Sequence, residues 1–217
     1  MDFETARQTM IDTQVRPNDV TDPRIVRAFQ AVPREAFVPR SKRSIAYAET
    51  EIVTSDGRAL WTPRDTGKLI AAADPSPTDI CLVLAAGAGY EAAILSHLCE
   101  TVIAVEETAE TIDKLASRMA DLGLDRVVGV EADIVRGLPD QAPFDVIIIC
   151  GMVEHVPSDL TKQLSDGGRL GAVVQIDDAL GRGRIYRRAG TSAAYRDAFD
   201  ARPPKLEAFN APRSFVF

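Results

Sequence analysis

Three cysteines in 217 residues, none at the spacing of metal ligands, exclude a disulfide framework and a cysteine-built metal site. Cys81, Cys99 and Cys150 each sit in or beside an apolar run and read as buried, reduced thiols of a cytosolic protein. Histidine is scarcer still. His97 and His155 have no partner near them in sequence and read as surface or structural side chains rather than catalytic bases. A basic excess is also missing. Lys and Arg number 25 against 32 Asp and Glu, a net charge of −7, which argues against a general nucleic-acid binder. The local run of arginines from Arg182 to Arg188 reads as a solvated strand face, with contact to an acidic partner as the alternative. No apolar run approaches membrane-spanning length, and the opening MDFETARQTM is too polar for a secretory signal. No repeat or low-complexity tract is visible. What remains, 46% hydrophobic and 26% charged, is the composition of a globular chain with one domain and an elaboration on it.

The chain is organised around ICLVLAAGAGYEAAILS, Ile80 to Ser96. An apolar run of strand length, Ile80 to Leu84, meets the small-residue turn Ala85-Ala86-Gly87-Ala88-Gly89. A helix-prone run starting at Tyr90 follows. A strand, a small-residue turn and a helix N-terminus together make a cofactor cradle. The helix end points backbone N–H groups outward, and small residues let a ligand approach the backbone. A second strand, Val102 to Val105, ends in Glu106-Glu107. An acidic residue about 20 residues past the turn suits a bidentate grip on ribose hydroxyls. The plainer readings are that the small residues serve helix–sheet packing and that Glu106 is a solvated strand end.

Upstream, Asp2 to Val15 has a helical apolar stripe (Phe3, Ala6, Met10, Ile11) and is broken at Arg16-Pro17-Asn18. A second helix, with Thr21 as its expected N-cap, carries Ile25, Val26, Phe29 and Val32 and ends at Pro33. Residues 34–43 read as an irregular packed connection, 45–63 as loop with short extended pieces, and Arg64 to Ala73 as a third helix. Downstream, Thr108 caps a helix with a stripe of Ile112, Leu115, Met119 and Leu122, ended by Gly123. Further strands are expected at Arg126 to Val130, Phe144 to Cys150, Arg169 to Ile176 and Arg184 to Arg187. Leu160 to Leu164 is expected to be helical, and a last strand at Ser214 to Phe217 to insert at the sheet edge. The run FDVIIIC is apolar on both faces, as a central parallel strand is. Alternating strands and helices imply a doubly wound parallel sheet of the α/β class.

The block Ala31-Val32-Pro33-Arg34-Glu35-Ala36-Phe37-Val38-Pro39 with Ala46-Tyr47 resembles the N-terminal signature of protein-L-isoaspartate O-methyltransferases. The likeness continues through Gly57 to Pro63, the cradle, Val105-Glu106, Ala142-Pro143-Phe144-Asp145 and Gly167-Gly168-Arg169-Leu170. The resemblance implies a Rossmann-like seven-stranded methyltransferase sheet with its last strand antiparallel. It implies an N-terminal helical lid and substrate loop over residues 1–73, and an S-adenosyl-L-methionine-binding core with C-terminal strands over 74–217. It also implies methyl transfer to the carboxylate of isoaspartyl residues in damaged peptides or proteins, with no metal. Carried over by position, Ala85, Gly87, Gly89, Glu106, Asp133 and Ile134 are the cofactor residues, Glu106 for the ribose and Asp133 for the adenine amino group. Arg58, Leu60, Trp61 and Thr62 form the substrate loop.

The departures are specific. The family has an acidic residue where this chain has Val83, Gly where it has Ala85, and Asp-Gly where it has Asp133-Ile134. Its loop pattern, Gly-x-Thr-Ile-Ser-x-Pro, becomes Gly57-Arg58-Ala59-Leu60-Trp61-Thr62-Pro63, with Asp56 where histidine is common. Trp61 stands at the serine position, so no catalytic side chain is assigned. Methyl transfer to an ionised carboxylate needs positioning and exclusion of water rather than a strong base. Loss of one hydroxyl is therefore compatible with turnover. The alternatives are a methyltransferase with another carboxylate or small-molecule acceptor, and a non-catalytic relative that binds or assembles.

Overall fold

The computed structural model describes residues 2–54, 57–177 and 180–210. Asp56 and the expected strand at Ser214 to Phe217 lie outside the described residues. Helix α1 (Phe3–Met10) begins at Asp2, whose carboxylate accepts from the N–H groups of Glu4 and Thr5. It runs on through a π turn at Ile11–Val15 and a 3-10 turn at Arg16–Asn18, where Pro17 stops it. Helix α2 (Pro23–Ala31) is capped by Asp22 rather than by Thr21. Asp22 Oδ1 accepts from the N–H of Arg24 at 2.7 Å, and its carboxylate also holds the Arg24 guanidinium, a second contact that threonine lacks. After 3-10 turns at Arg34–Phe37 and Arg40–Ile45, strands β1 (Ile52–Val53) and β2 (Ala59–Leu60) pair as a small antiparallel hairpin. Helix α3 (Pro63–Ala73) follows.

The core alternates strand and helix: β3 (Ile80–Leu84), α4 (Tyr90–Ser96), β4 (Thr101–Glu106), α5 (Ala109–Asp121), β5 (Val127–Glu131), β6 (Phe144–Val153), α6 (Ser158–Lys162), β7 (Leu164–Gln175), β8 (Gly181–Ala189) and β9 (Ser192–Ala201). The described residues form a seven-stranded sheet in the order β5-β4-β3-β6-β7-β8-β9. The five strands from β5 to β7 are parallel, and β8 and β9 close the far side as an antiparallel meander. The helix expected at Leu160 to Leu164 starts earlier, at Ser158, and Leu164 already belongs to β7. Strand β9 had no sequence-based counterpart.

Successive side chains of the central strands divide between two cores, as the pleat requires. Cys81, Val83, Val146 and Ile148 face one layer, built by the N-terminal helices, α3, α4 and α5. Leu82, Leu84, Ile147 and Ile149 face the other, closed by Leu160, Leu206 and Phe209. Met10, Val15, Phe29 and Phe37 belong to the same continuous cluster as Val83 and Tyr90, so the N-terminal segment packs directly on the sheet. Among the described residues no helix is long and apolar enough to cross a membrane.

Two of the four arginines of β8 face acidic residues of β9. Arg184 donates to Asp197 at 2.9 Å, and Arg182 pairs with Asp200. Half of the basic run is thereby neutralised within the sheet, and Arg188 is spent on the carbonyls of Lys162 and Leu164.

Candidate active site

Strand β3 delivers the chain into its turn at the C-terminal edge of the parallel sheet, where open α/β sheets bind ligands. The turn uses the left-handed region three times: φ is +57° at Ala85, +53° at Gly87 and +90° at Gly89. Glycine enters that region freely, whereas an alanine there is strained by its Cβ. Ala85 therefore holds a conformation that glycine enters freely, at the position where the family pattern has glycine. The N–H of Ala86 donates to the carbonyl of Val105 at 3.2 Å, which ties the turn to the end of β4. Gly89 is the N-cap of α4. A Cβ there would lie 2.6 Å from Met119 Cε and 3.3 Å from Leu115, so its smallness is used against α5.

Glu106 sits at the end of β4 with its side chain 5% exposed. Four donors converge on its carboxylate. Oε1 accepts from the N–H of Gly87 at 2.8 Å and from Arg58 Nε at 3.0 Å. Oε2 accepts from Arg58 Nη2 at 2.9 Å and from the N–H of Glu107 at 3.3 Å. Arg58 Nη2 also reaches Glu107 at 3.0 Å. The turn and the acidic strand end, 19 residues apart, thus meet at one carboxylate. Asp133 follows β5; its Oδ1 accepts from the N–H groups of Val135 (2.8 Å) and Arg136 (3.2 Å). It lines a cavity of about 310 Å³ with Ala132, Gly137 and Leu138. Ile134 is not in that lining and is fully buried in the second core. Val83, at the position of the family's strand acid, is likewise wholly buried.

The loop has changed occupation. Leu60 and Trp61 are each 2% exposed and belong to the first core. Thr62 Oγ1 accepts from the N–H of Asp65 at 3.1 Å and so caps α3. The carbonyl of Trp61 accepts from the buried guanidinium of Arg34, which also donates to the carbonyl of Ala46 at 2.7 Å. Arg34 lies over the ring of Tyr90, 4.7 Å from its centroid, and Phe37 packs edge-on against the same ring at 5.3 Å. Of the four loop candidates, Arg58 alone presents a functional group to the cradle.

Two residues at this end of the sheet had no role in the sequence reading. Glu91, in the first turn of α4, is buried and accepts from Thr66 Oγ1 at 3.1 Å. Burial pushes its carboxyl above the usual range, opposed by its own backbone N–H, the Arg34 charge and the Thr66 bond. Cys150, near the end of β6, is a buried thiol raised by burial and further by the charges of Glu91 and Glu106, with Arg58 acting the other way. Charge directly after a cradle turn was the signal for Glu91; Cys150 gave none beyond its strand. His97 and His155 are both exposed. Among the described residues no group of three or more His, Cys, Asp or Glu is placed to hold a metal.

The family model for protein-L-isoaspartate(D-aspartate) O-methyltransferase matches residues 5–195. The chain belongs to this family. It is 36% identical to the protein-L-isoaspartate O-methyltransferase of Roseiflexus castenholzii over 170 residues, 78% of each chain. It is 33% identical to protein-L-isoaspartate O-methyltransferase 1 of Rhodopseudomonas palustris, over 83% of this chain and 74% of that one. Among solved structures, a protein-L-isoaspartate O-methyltransferase superposes with a TM-score of 0.81 at 21% identity, covering 92% of this chain and 65% of that one. The Plasmodium falciparum protein described as a putative member, in complex with S-adenosyl-L-homocysteine, gives 0.79 at 14% identity over 96% and 99%. Both support the seven-stranded methyltransferase fold.

Proposed function

We propose that this chain is an S-adenosylmethionine-dependent carboxyl O-methyltransferase that acts on isoaspartyl carboxylates of peptides and proteins in the cytosol. The observation that carries this reading is the convergence of the Gly87 N–H and the Glu106 carboxylate beneath a turn of small residues. A ribose diol presents two adjacent O–H donors, and the Glu106 carboxylate is a bidentate acceptor fixed by two backbone N–H groups. The residues therefore fit the cofactor. Glu106 would hold the ribose, and Asp133, fixed by its turn bonds at the edge of its own cavity, would take the adenine amino group. Ala85, Gly87 and Gly89 shape the turn, whose backbone would receive the amino-acid end of the cofactor.

The bound cofactor supplies a sulfonium methyl group. Transfer to the acceptor carboxylate would form a C–O bond as the C–S bond breaks, with S-adenosylhomocysteine as the leaving group and no proton transferred. An unperturbed carboxyl titrates near 4, so the acceptor is already ionised at neutral pH and the chain's task is alignment and dryness. Buried thiols at Cys81, Cys99 and Cys150 agree with a reducing compartment.

A second reading, a relative that binds without turning over, draws on Trp61, whose ring fills core where the family has a hydroxyl. Calorimetric titration with S-adenosylmethionine, followed by transfer of labelled methyl to an isoaspartyl peptide, separates the two. The enzyme reading expects binding, weakened by Glu106→Ala about 10- to 100-fold, the equivalent of one lost charge-assisted hydrogen bond. Labelled ester is expected on the isoaspartyl peptide and not on its aspartyl counterpart. Binding without transfer would favour the second reading. No binding and no thermal shift would exclude the first.

A further inference from the structure

The Glu106 carboxylate is already held by a partner that imitates a ribose. Arg58 presents two parallel N–H donors, from Nε and Nη2, at 3.0 and 2.9 Å, one to each carboxylate oxygen. Two vicinal ribose hydroxyls would use the same two oxygens. With the Gly87 and Glu107 N–H groups also on that carboxylate, both ligands cannot be gripped at once. Arg58 belongs to the segment that carries the family's acceptor loop, and none of the other three loop candidates offers a cation to a carboxylate. Leu60 is a buried hydrocarbon, Trp61 is buried in the core, and the Thr62 hydroxyl caps α3. The acceptor is itself a carboxylate, the group for which a guanidinium fork is shaped.

We propose that Arg58 is the acceptor-binding side chain of this protein and is parked on Glu106 until the ribose of the cofactor displaces it. Glu106 then stands in for the substrate, and its pairing with Arg58 displays the bidentate geometry in which an isoaspartyl residue's carboxylate is held. Binding is ordered: the cofactor releases the guanidinium, and only then is a cation offered to the acceptor. The proximity of Glu107, 3.0 Å from Nη2, keeps the released guanidinium beside the cradle rather than in solvent. This inference rests on the methyltransferase reading and adds to it a specificity-determining residue at the position where the loop lost its hydroxyl.

The test uses the full chain and three variants, Arg58→Ala, Arg58→Gln and Arg58→Lys, with calorimetry against S-adenosylhomocysteine and against an isoaspartyl peptide. Thermal unfolding of each variant reports whether it folds, and Arg58→Gln keeps hydrogen-bonding capacity where Arg58→Ala leaves a gap. Removing the competitor is expected to tighten S-adenosylhomocysteine about tenfold or more in Arg58→Ala, the scale of one bidentate charged contact. The isoaspartyl peptide is expected to bind the wild type only when S-adenosylhomocysteine is present, and to bind neither Arg58→Ala nor Arg58→Gln. Arg58→Lys, a point charge without the fork, is expected to recover part of the peptide binding. Unchanged or weaker cofactor affinity in the variants overturns the proposal and leaves the methyltransferase reading in place. So does peptide binding to Arg58→Ala at wild-type strength. Failure of the wild type and all variants to bind the cofactor overturns both.

Discussion

The cradle and the substrate loop have both left the family pattern, and they have done so in opposite ways. In the cradle, Ala85 stands where the family pattern has glycine, yet the backbone lies in the left-handed region and the turn meets Glu106 through Gly87. The geometry is kept at the expense of local strain. In the loop, the backbone still leads through β2 into Pro63 and α3, yet the side chains have been reassigned: Trp61 to the core, Thr62 to a helix cap, Arg58 to Glu106. A cofactor site depends on backbone N–H groups and one carboxylate, so it survives a change of one methyl group. An acceptor site depends on side-chain chemistry, so the same degree of drift rewrites it. The comparison predicts that the cradle's departure is nearly reversible and the loop's is not.

The largest effect tests the loop. Trp61 is among the largest fully buried side chains, and Trp61→Ser, which restores the family's residue, leaves a void under β2 and strands a hydroxyl in it. Large-to-small changes of this kind destabilise by about 3–5 kcal/mol, and urea unfolding should show a loss of that size. A loss under about 1 kcal/mol would mean that the loop has room to revert, and the contrast with the cradle would disappear. Should the variant stay folded and gain labelled-methyl transfer to an isoaspartyl peptide, the tryptophan marks a lost acceptor site rather than a rebuilt one.

A smaller effect lies at the seam between the regions, where Glu91 of α4 accepts from Thr66 of α3. Burial raises the folded carboxyl above its unfolded value near 4, so the folded state binds the proton more tightly. Stability is then greatest below the unfolded pKa and falls as pH rises through the raised folded value. Glu91→Gln keeps a bond to Thr66 without the charge. It should flatten stability against pH in the weakly acid range and unfold at higher urea than the wild type at pH 7. If the variant is instead weaker at pH 7 with the slope unchanged, Glu91 is ionised and held by Arg34, and the seam is an ion pair.

The parallel half of the sheet was legible because runs such as FDVIIIC are buried on both faces and announce themselves without periodicity. Strand β9 was not, since Ser192–Ala201 is exposed at all but two positions and pairs only with β8, so no apolar alternation marks it. Glu106 could be nominated from its distance to the turn. Its partner could not: Arg58 lies 48 residues away in a segment without period, and only folding places the two carboxylate oxygens against its fork. Gly89 is ambiguous in sequence for another reason, because a glycine that makes room for Met119 and Leu115 looks the same as one that makes room for a ligand. Glycine spacing reports that a Cβ is missing, and the neighbouring element decides what fills the space.

The smallest effect tests the cradle, with Ala85→Gly. Removing the Cβ relieves a left-handed alanine by about 1–2 kcal/mol. Against that stand about 0.8 kcal/mol for the lost burial of a methyl group that is 2% exposed in the second core, and about 0.5–1 kcal/mol for the greater freedom of glycine in the unfolded chain. The contributions nearly cancel, so the midpoint of urea unfolding should move by less than about 1 kcal/mol in free energy. Ala85→Val separates strain from packing: a β-branched residue in the left-handed region is a genuine outlier, and it should destabilise by more than about 1 kcal/mol where glycine is neutral. Near-equality of alanine and glycine with a clear penalty for valine would explain how the turn passed from one small residue to the other without losing Glu106. A penalty for glycine as large as that for valine would mean that the methyl group is itself a packing contact the turn depends on, and that the cradle, like the loop, has been rebuilt around its new residue.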